Sequence, residues 1–193
     1  MACAALAVGL ATSAVAQSNV YSLNIVGYVN TTINAGFSLI GNPLDNGTND
    51  LNSLFPNAGL GDAIFAYANG SFTESDYFGS WSPNLAVPPG KGLFYSSGAK
   101  TTNTFVGNVL TGSLTNHVNT GFNMISSQVP ISDTLGNLGL PAGLGDAVFY
   151  YRNGAYVESD FFGSWSPDLA LGVGEAFWFS TGAAGNWVQT FNP

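Results

Sequence analysis

Gly59–Ala86, GLGDAIFAYANGSFTESDYFGSWSPNLA, returns as Gly143–Ala170, GLGDAVFYYRNGAYVESDFFGSWSPDLA, with 20 of 28 positions identical. Self-similarity at one fixed offset marks a duplicated structural unit. The match extends upstream, where Ile33-Asn34-Ala35-Gly36-Phe37 corresponds to Val118-Asn119-Thr120-Gly121-Phe122. Downstream, Gly90-Lys91-Gly92-Leu93-Phe94-Tyr95 corresponds to Gly174-Glu175-Ala176-Phe177-Trp178-Phe179. The chain therefore divides into modules at 18–104 and 105–193, with no Pro/Ser-rich linker between them. Modules joined this tightly are expected to pack as a pseudo-symmetric pair.

Inside the repeat the apolar period is two, the signature of strands. Tyr21, Leu23, Ile25 and Val29 alternate with polar or small residues, and Phe65 shares a face with Tyr67 as Phe149 does with Tyr151. Asn69-Gly70 and Asn153-Gly154 separate alternating aromatic runs, which predicts type I′ hairpins. Helical signals are short: Asp50 to Phe55, and Asp133 to Leu138 with Ser132 as N-cap. The expected fold is all-β, two tandem small sandwich or barrel modules following a signal peptide. At about 85 residues without disulfides, each module is small enough that the two should share buried surface.

Residues 1–16 are apolar and small, ending in Ala14-Val15-Ala16, the pattern a signal peptidase reads. Export with cleavage before Gln17 is the expectation, although no basic residue precedes the run. It is too short for a transmembrane span, which needs about 20 apolar residues. The sole cysteine, Cys3, leaves with the signal. Only 7% of residues are charged, and Lys91, Lys100 and Arg152 are the only cations against 11 acids, a net charge of −8. That balance offers no patch for phosphates, so nucleic acid is not an expected partner.

The twin motifs Glu74-Ser75-Asp76 and Glu158-Ser159-Asp160 are the first candidate site. Residues two apart on a strand project from one face, so each Glu and Asp stands side by side, flanked by Phe72 and Phe78 or by Tyr156 and Phe162. Such carboxylates can accept sugar hydroxyls while rings stack on the sugar, or they can solubilise a strand edge. With Asp62 or Asp146 as a further donor they can also ligate calcium. Trp81 and Trp165, each in Gly-Ser-Trp-Ser-Pro, are either stacking platforms or plugs of a small core. Trp178, matched with Phe94, is assigned to the core. His117 has no counterpart in the first module and is assigned to the surface. No nucleophile elbow, zinc cluster, P-loop or dinucleotide glycine pattern is present. Duplicated acids in equivalent environments also lack the split pKa values that glycoside hydrolysis uses. A non-enzyme is expected.

The order Gly36–Leu44 (GFSLIGNPL), Asp62–Tyr67 (DAIFAY), Trp81 and Pro89–Phe94 (PGKGLF) resembles uncharacterised secreted duplicated β-modules of environmental bacteria. The resemblance covers most of each module and implies export and fold, with no defined catalytic residues. The second module departs from it with Ser126-Ser127-Gln128 in place of Gly41-Asn42-Pro43 and Val173 in place of Pro89. Two functions follow as expectations. One is a secreted structural or interaction protein, a self-associating surface, matrix or filament subunit. The other is a carbohydrate-binding module for extracellular polysaccharide, using Trp81, Trp165 and the Glu/Asp pairs. A free-ended strand at Ser18–Asn30 either completes its own module or adds to a neighbouring chain.

Overall fold

The computed structural model describes residues 25–192, so the signal-peptide expectation lies outside the described residues. The first half contains β1 (Val26–Ile33), β2 (Gly36–Gly41), α1 (Leu51–Leu54), β3 (Ala63–Ala68), β4 (Ser71–Tyr77), β5 (Trp81–Ser82), β6 (Gly92–Ser97) and β7 (Thr101–Asn108). The second contains β8 (Gly112–Val118), β9 (Gly121–Ser126), β10 (Asp133–Thr134), α2 (Leu135–Leu138), β11 (Ala147–Arg152), β12 (Ala155–Phe161), β13 (Trp165–Ser166), β14 (Ala170–Leu171), β15 (Ala176–Thr181) and β16 (Gly185–Phe191). The fold is all-β. The division expected at 104/105 falls inside β7, and the turn between β7 and β8 separates the two sets of strands.

One five-stranded sheet has the order β2-β6-β3-β4-β5, and the other has the corresponding order β9-β15-β11-β12-β13. A two-stranded antiparallel ribbon accompanies each sheet: β1 with β7, and β8 with β16. Ile33 from β1 and Phe105 from β7 share a core with Ile40, Ile64, Leu93 and Tyr95 of the first sheet. In the second half Val118 and Trp187 from the ribbon meet Ile125, Val148, Phe177 and Phe179. Burying such side chains stabilises by roughly 1.5–3 kcal/mol each. Thus β1 pairs along its whole length with β7 of the same chain, Asn30 opposite Thr104, so residues 26–30 serve their own module.

Both hairpins form at the Asn-Gly positions. Asn69 and Gly70 have φ of 52° and 82°, and Asn153 and Gly154 of 54° and 81°, the paired positive values of a type I′ turn. The short helix α1 is capped by Asp50, whose carboxylate accepts from the Ser53 N–H in a capping box. The second helix corrects the sequence reading. Its N-cap is Thr134, which makes no side-chain cap bond, whereas the Ser132 hydroxyl donates to the Leu171 carbonyl. Both helices are also held from the loop after the Trp: Asn84 accepts from the Asn52 N–H, and Asp168 from the Gly136 N–H.

The outer faces of the two sheets meet. Leu39, Phe94, Met124, Ala176 and Trp178 form one buried cluster, with Phe65, Tyr67, Phe149 and Tyr151 packed against it. The contacts recur at repeat-related positions. The Gly41 N–H donates to the Gly174 carbonyl and the Ser126 N–H to the Gly90 carbonyl, both at 3.0 Å. The Phe94 and Tyr151 rings lie 5.4 Å apart, and the Tyr67 and Trp178 rings 4.7 Å apart, each edge to face. Only the second half carries an ion pair among the described residues, where the Arg152 guanidinium grips both Glu175 oxygens.

Candidate functional site

Each sheet displays its aromatic residues in cross-strand rows on the outer face, because the alternation of β3 and β4 puts Phe65, Tyr67, Phe72, Glu74 and Asp76 there. Opposite Phe65 stand Glu74 on one side and Phe94 on the other, and Leu39 lies beyond Phe94. In the second sheet the row is Glu158, Phe149, Trp178 and Met124. The Glu and Asp of each motif thus share a face, as expected, and the rings flank them. The middle serines do not share that face. Ser75 and Ser159 are fully buried, and their hydroxyls donate to the Pro83 and Pro167 carbonyls at 2.7 and 2.6 Å.

The rows border two open grooves. Phe37, Phe65, Phe72, Glu74 and Phe94 line one of about 410 Å³. Phe122, Phe149, Tyr156 and Trp178 line the other, about 430 Å³, together with Tyr67 from the first half. Four rings of the second groove correspond to rings of the first, Phe122 to Phe37, Phe149 to Phe65, Tyr156 to Phe72 and Trp178 to Phe94, whereas Tyr67 joins the lining in place of an acid and Glu158 stands next to Phe149 across the strand pair. Phe37, Phe72, Phe122 and Tyr156 are each about half exposed. Trp178, assigned from sequence to a core, is buried not inside its module but between the two sheets, where it forms the floor of a groove.

Trp81 and Trp165 are not stacking platforms. They are 2% and 7% exposed, and the Trp81 indole N–H donates to the Phe55 carbonyl at 3.1 Å. Each plugs its module core against Tyr77 and Tyr95, or against Phe161 and Phe179. Calcium does not fit Asp62 or Asp146 either. Asp62 is buried, accepting from the Gly59 and Gly98 N–H groups and the Tyr95 hydroxyl. Asp146 accepts from the Gly143 and Gly182 N–H groups. These donors satisfy each buried carboxylate as the closure of a turn. Burial, reinforced by Asp62, holds the Tyr95 phenol far above its usual range, so it stays a donor. Among the described residues, no group of three His, Asp or Glu side chains could hold a metal.

Other polar residues serve the scaffold. His117 sits on β8 with its Nδ1 2.6 Å from the Asn186 amide oxygen across the ribbon, exposed to solvent. Lys91 donates to the Ala86 carbonyl, and desolvation lowers its pKa.

Four side chains stand out for the opposite reason. Leu60 and Phe78, at one end of the first sheet, are 80% and 76% exposed, and their counterparts Leu144 and Phe162 are 80% and 72% exposed. The Gly61 N–H donates to the Tyr77 carbonyl, and the Gly145 N–H to the Phe161 carbonyl, which holds each Leu-bearing loop beside its Phe-bearing strand end. Of the groove rings, Phe72 and Tyr156 are those the sequence already sets beside the acid pairs; Phe37, Phe94 and Phe122, and Leu60 or Leu144, are not sequence candidates. The available signal was aromatic residues at consecutive strand positions, as in Leu93-Phe94-Tyr95, which fits only a sheet covered on both faces. No helix in the described residues is long and apolar enough to cross a membrane. No protein-family model, curated protein or solved structure matches the chain.

Proposed function

We propose that the protein is an exported structural or interaction protein, two homologous β-modules packed as a pseudo-symmetric pair, that self-associates outside the cell. The observation that carries this reading is the pair of apolar knobs, Leu60 with Phe78 and Leu144 with Phe162, identical in type in both modules and all exposed. Single exposed apolar residues are ordinary, but two repeated Leu/Phe pairs are not. A chain with such a knob at each module offers more than one contact, and contacts that do not close on themselves build filaments or sheets.

Sedimentation velocity and negative-stain imaging of the mature chain test it. Wild type should form concentration-dependent assemblies, and the combined Leu60→Ser, Phe78→Ser, Leu144→Ser and Phe162→Ser variant should remain monomeric. A wild type that stays monomeric at every concentration would sink the reading. Export is tested by N-terminal sequencing of protein from the medium, which should begin at or near Gln17.

The second reading is a carbohydrate-binding module. With Trp81 and Trp165 buried it loses its platforms, and what favours it now is Glu74 on the wall of a groove lined with rings. Retention on insoluble polysaccharide, lost in Phe72→Ser, would support it.

A further inference from the structure

We infer that the two aromatic grooves bind an organic cation, an alkylated ammonium group, with Glu74 and Glu158 as its counter-charges. This inference does not rest on self-association, which involves other residues.

The groove walls are π-faces and ring edges. In the second groove Trp178 lies 6.0 Å from Phe122 and 4.7 Å from Tyr67, and Phe122 lies 6.1 Å from Phe149. Tyr156, half exposed, borders the same space. Several rings around one open volume attract a cation through their quadrupoles, and Trp is the strongest such ring. A methylated ammonium suits this surface better than a bare one, because its methyl groups fill apolar space while the charge is spread over them.

Charge complementarity selects a cation over a neutral apolar guest. Glu74 stands directly across the strand pair from Phe65, and Glu158 across from Phe149. Asp76 and Asp160 follow two residues on, along the same face. Among the described residues no cation answers them: Arg152 is taken by Glu175, Lys91 is bonded to Ala86, and neither Lys residue lines either groove. The chain as a whole is at −8, so the grooves lie in a negative field. The protein already seats one cation over a ring, the Arg152 guanidinium carbon 4.4 Å from the Tyr150 centroid. A sugar is the poorer guest. It needs donors as well as acceptors, and these walls are mostly hydrocarbon with carboxylate acceptors beside them.

The test uses the full mature chain and three probes: choline, its neutral isostere dimethylbutanol in which carbon replaces the ammonium nitrogen, and a cello-oligosaccharide. Binding is followed by NMR titration and tryptophan fluorescence. Choline should bind and dimethylbutanol should bind at least about threefold more weakly, the size a cation–π contribution predicts. Phe122→Leu keeps the apolar area but removes a ring, and Glu158→Gln removes the charge at constant shape. Each should weaken choline binding about threefold or more while leaving dimethylbutanol unchanged. Because both side chains are exposed, the fold should survive. Should either variant misfold, added salt makes the same distinction on wild type, weakening choline alone. Equal binding of choline and dimethylbutanol would reduce the grooves to apolar surface and overturn the inference. So would binding of the oligosaccharide without choline, which makes them a glycan platform, or binding of no probe at all.

Discussion

Gly41 packs directly against Ser126, the residue that occupies its own position in the second repeat: a Cβ built on Gly41 would lie 2.2 Å from both Cβ and Oγ of Ser126. Gly92 and Ala176, also repeat counterparts, meet in the same way, with a Cβ on Gly92 lying 3.0 Å from that of Ala176. At this close approach there is room for one side chain and not two, so Gly41 leaves the space to Ser126. Gly41→Ala should therefore destabilise by about 1–3 kcal/mol through overpacking. Adding Ser126→Gly should recover most of that loss, less the roughly 0.5–1 kcal/mol that a strand glycine costs. Urea unfolding of the two single variants and the double gives the coupling directly. Additive effects would mean the residues do not compete for one space.

The hairpin turns allow a sharper comparison. Gly70 and Gly154 sit at φ of 82° and 81°, a region that β-branched residues avoid. Nothing lies within 4 Å of a Cβ built on either, so a substitution there meets backbone strain and no clash. Gly70→Val and Gly154→Val should each cost more than about 1 kcal/mol. Gly70→Asn should cost clearly less, because Asn tolerates the left-handed region. Equal losses for Val and Asn in urea unfolding would assign the cost to something other than turn geometry.

Why part of this fold was legible and part was not comes down to where the two copies diverge. The β3–β4 and β11–β12 hairpins were readable because each needs Asn-Gly between alternating strands, and no packing partner can change that. The end of the first module was not. Phe105 fills the core from β7, whereas Gln189 stands at the matching place in β16, and Trp187, two residues earlier, supplies the bulk. Moving the bulk by two keeps it on the same face and so preserves the fold while erasing the sequence match, which placed 104/105 inside a strand. The Trp residues were legible only in part, because their surroundings are set by distant chain. Trp81 stands between Ser and Pro and reads as loop, yet its ring turns inward to the Phe55 carbonyl. Trp178 reads as core and is core, but its burial comes from Tyr67, Phe72 and Phe94 across the seam between the two sheets, which no local pattern around Trp178 announces.

The α1 cap gives stability a defined response to acid. The Ser53 backbone N–H, bonded to the Asp50 carboxylate, holds its pKa below the ordinary 3.8. A carboxylate with a depressed folded-state pKa stabilises fully above its unfolded pKa, and that contribution is lost as pH falls through the folded value. Asp50→Ala should cost about 1 kcal/mol at neutral pH. The gap between variant and wild type should then narrow as pH falls below 3.8. A gap that stays constant from neutral pH to well below that point would show that the carboxylate charge contributes nothing to the cap.

The buried carboxylates predict how the fold responds to a chelator. Asp62 is satisfied by two N–H groups and the Tyr95 hydroxyl at 2.8 Å. Thermal unfolding with and without a chelator should coincide. Tyr95→Phe should destabilise by about 1–3 kcal/mol, since it removes a charge-assisted bond from a buried acceptor. If the chelator lowers the melting temperature by several degrees, a metal is part of the fold and the donor assignment at Asp62 fails.

The last prediction concerns β1. Its inward residues Thr31 and Ile33 are 9% and 1% exposed, and it pairs with β7 from Val26 opposite Asn108 to Ile33 opposite Thr101. Ile33 belongs to the same core as Phe105, Ile64 and Tyr95. Removing β1 would therefore strip an eight-residue strand from the ribbon and open that core to water. The other outcome left open by the sequence, a strand donated to a neighbouring chain, would leave such a deletion folded and open to rescue by an added peptide. The structure favours the first outcome. Deleting residues 26–33 should abolish cooperative unfolding of the first module, while the second, which pairs its own β8 with β16, should retain its transition. Ile33→Ala is the milder form and should cost about 2–5 kcal/mol. A deletion variant that keeps both transitions and recovers assembly when peptide 18–33 is supplied would show that β1 is exchanged between chains.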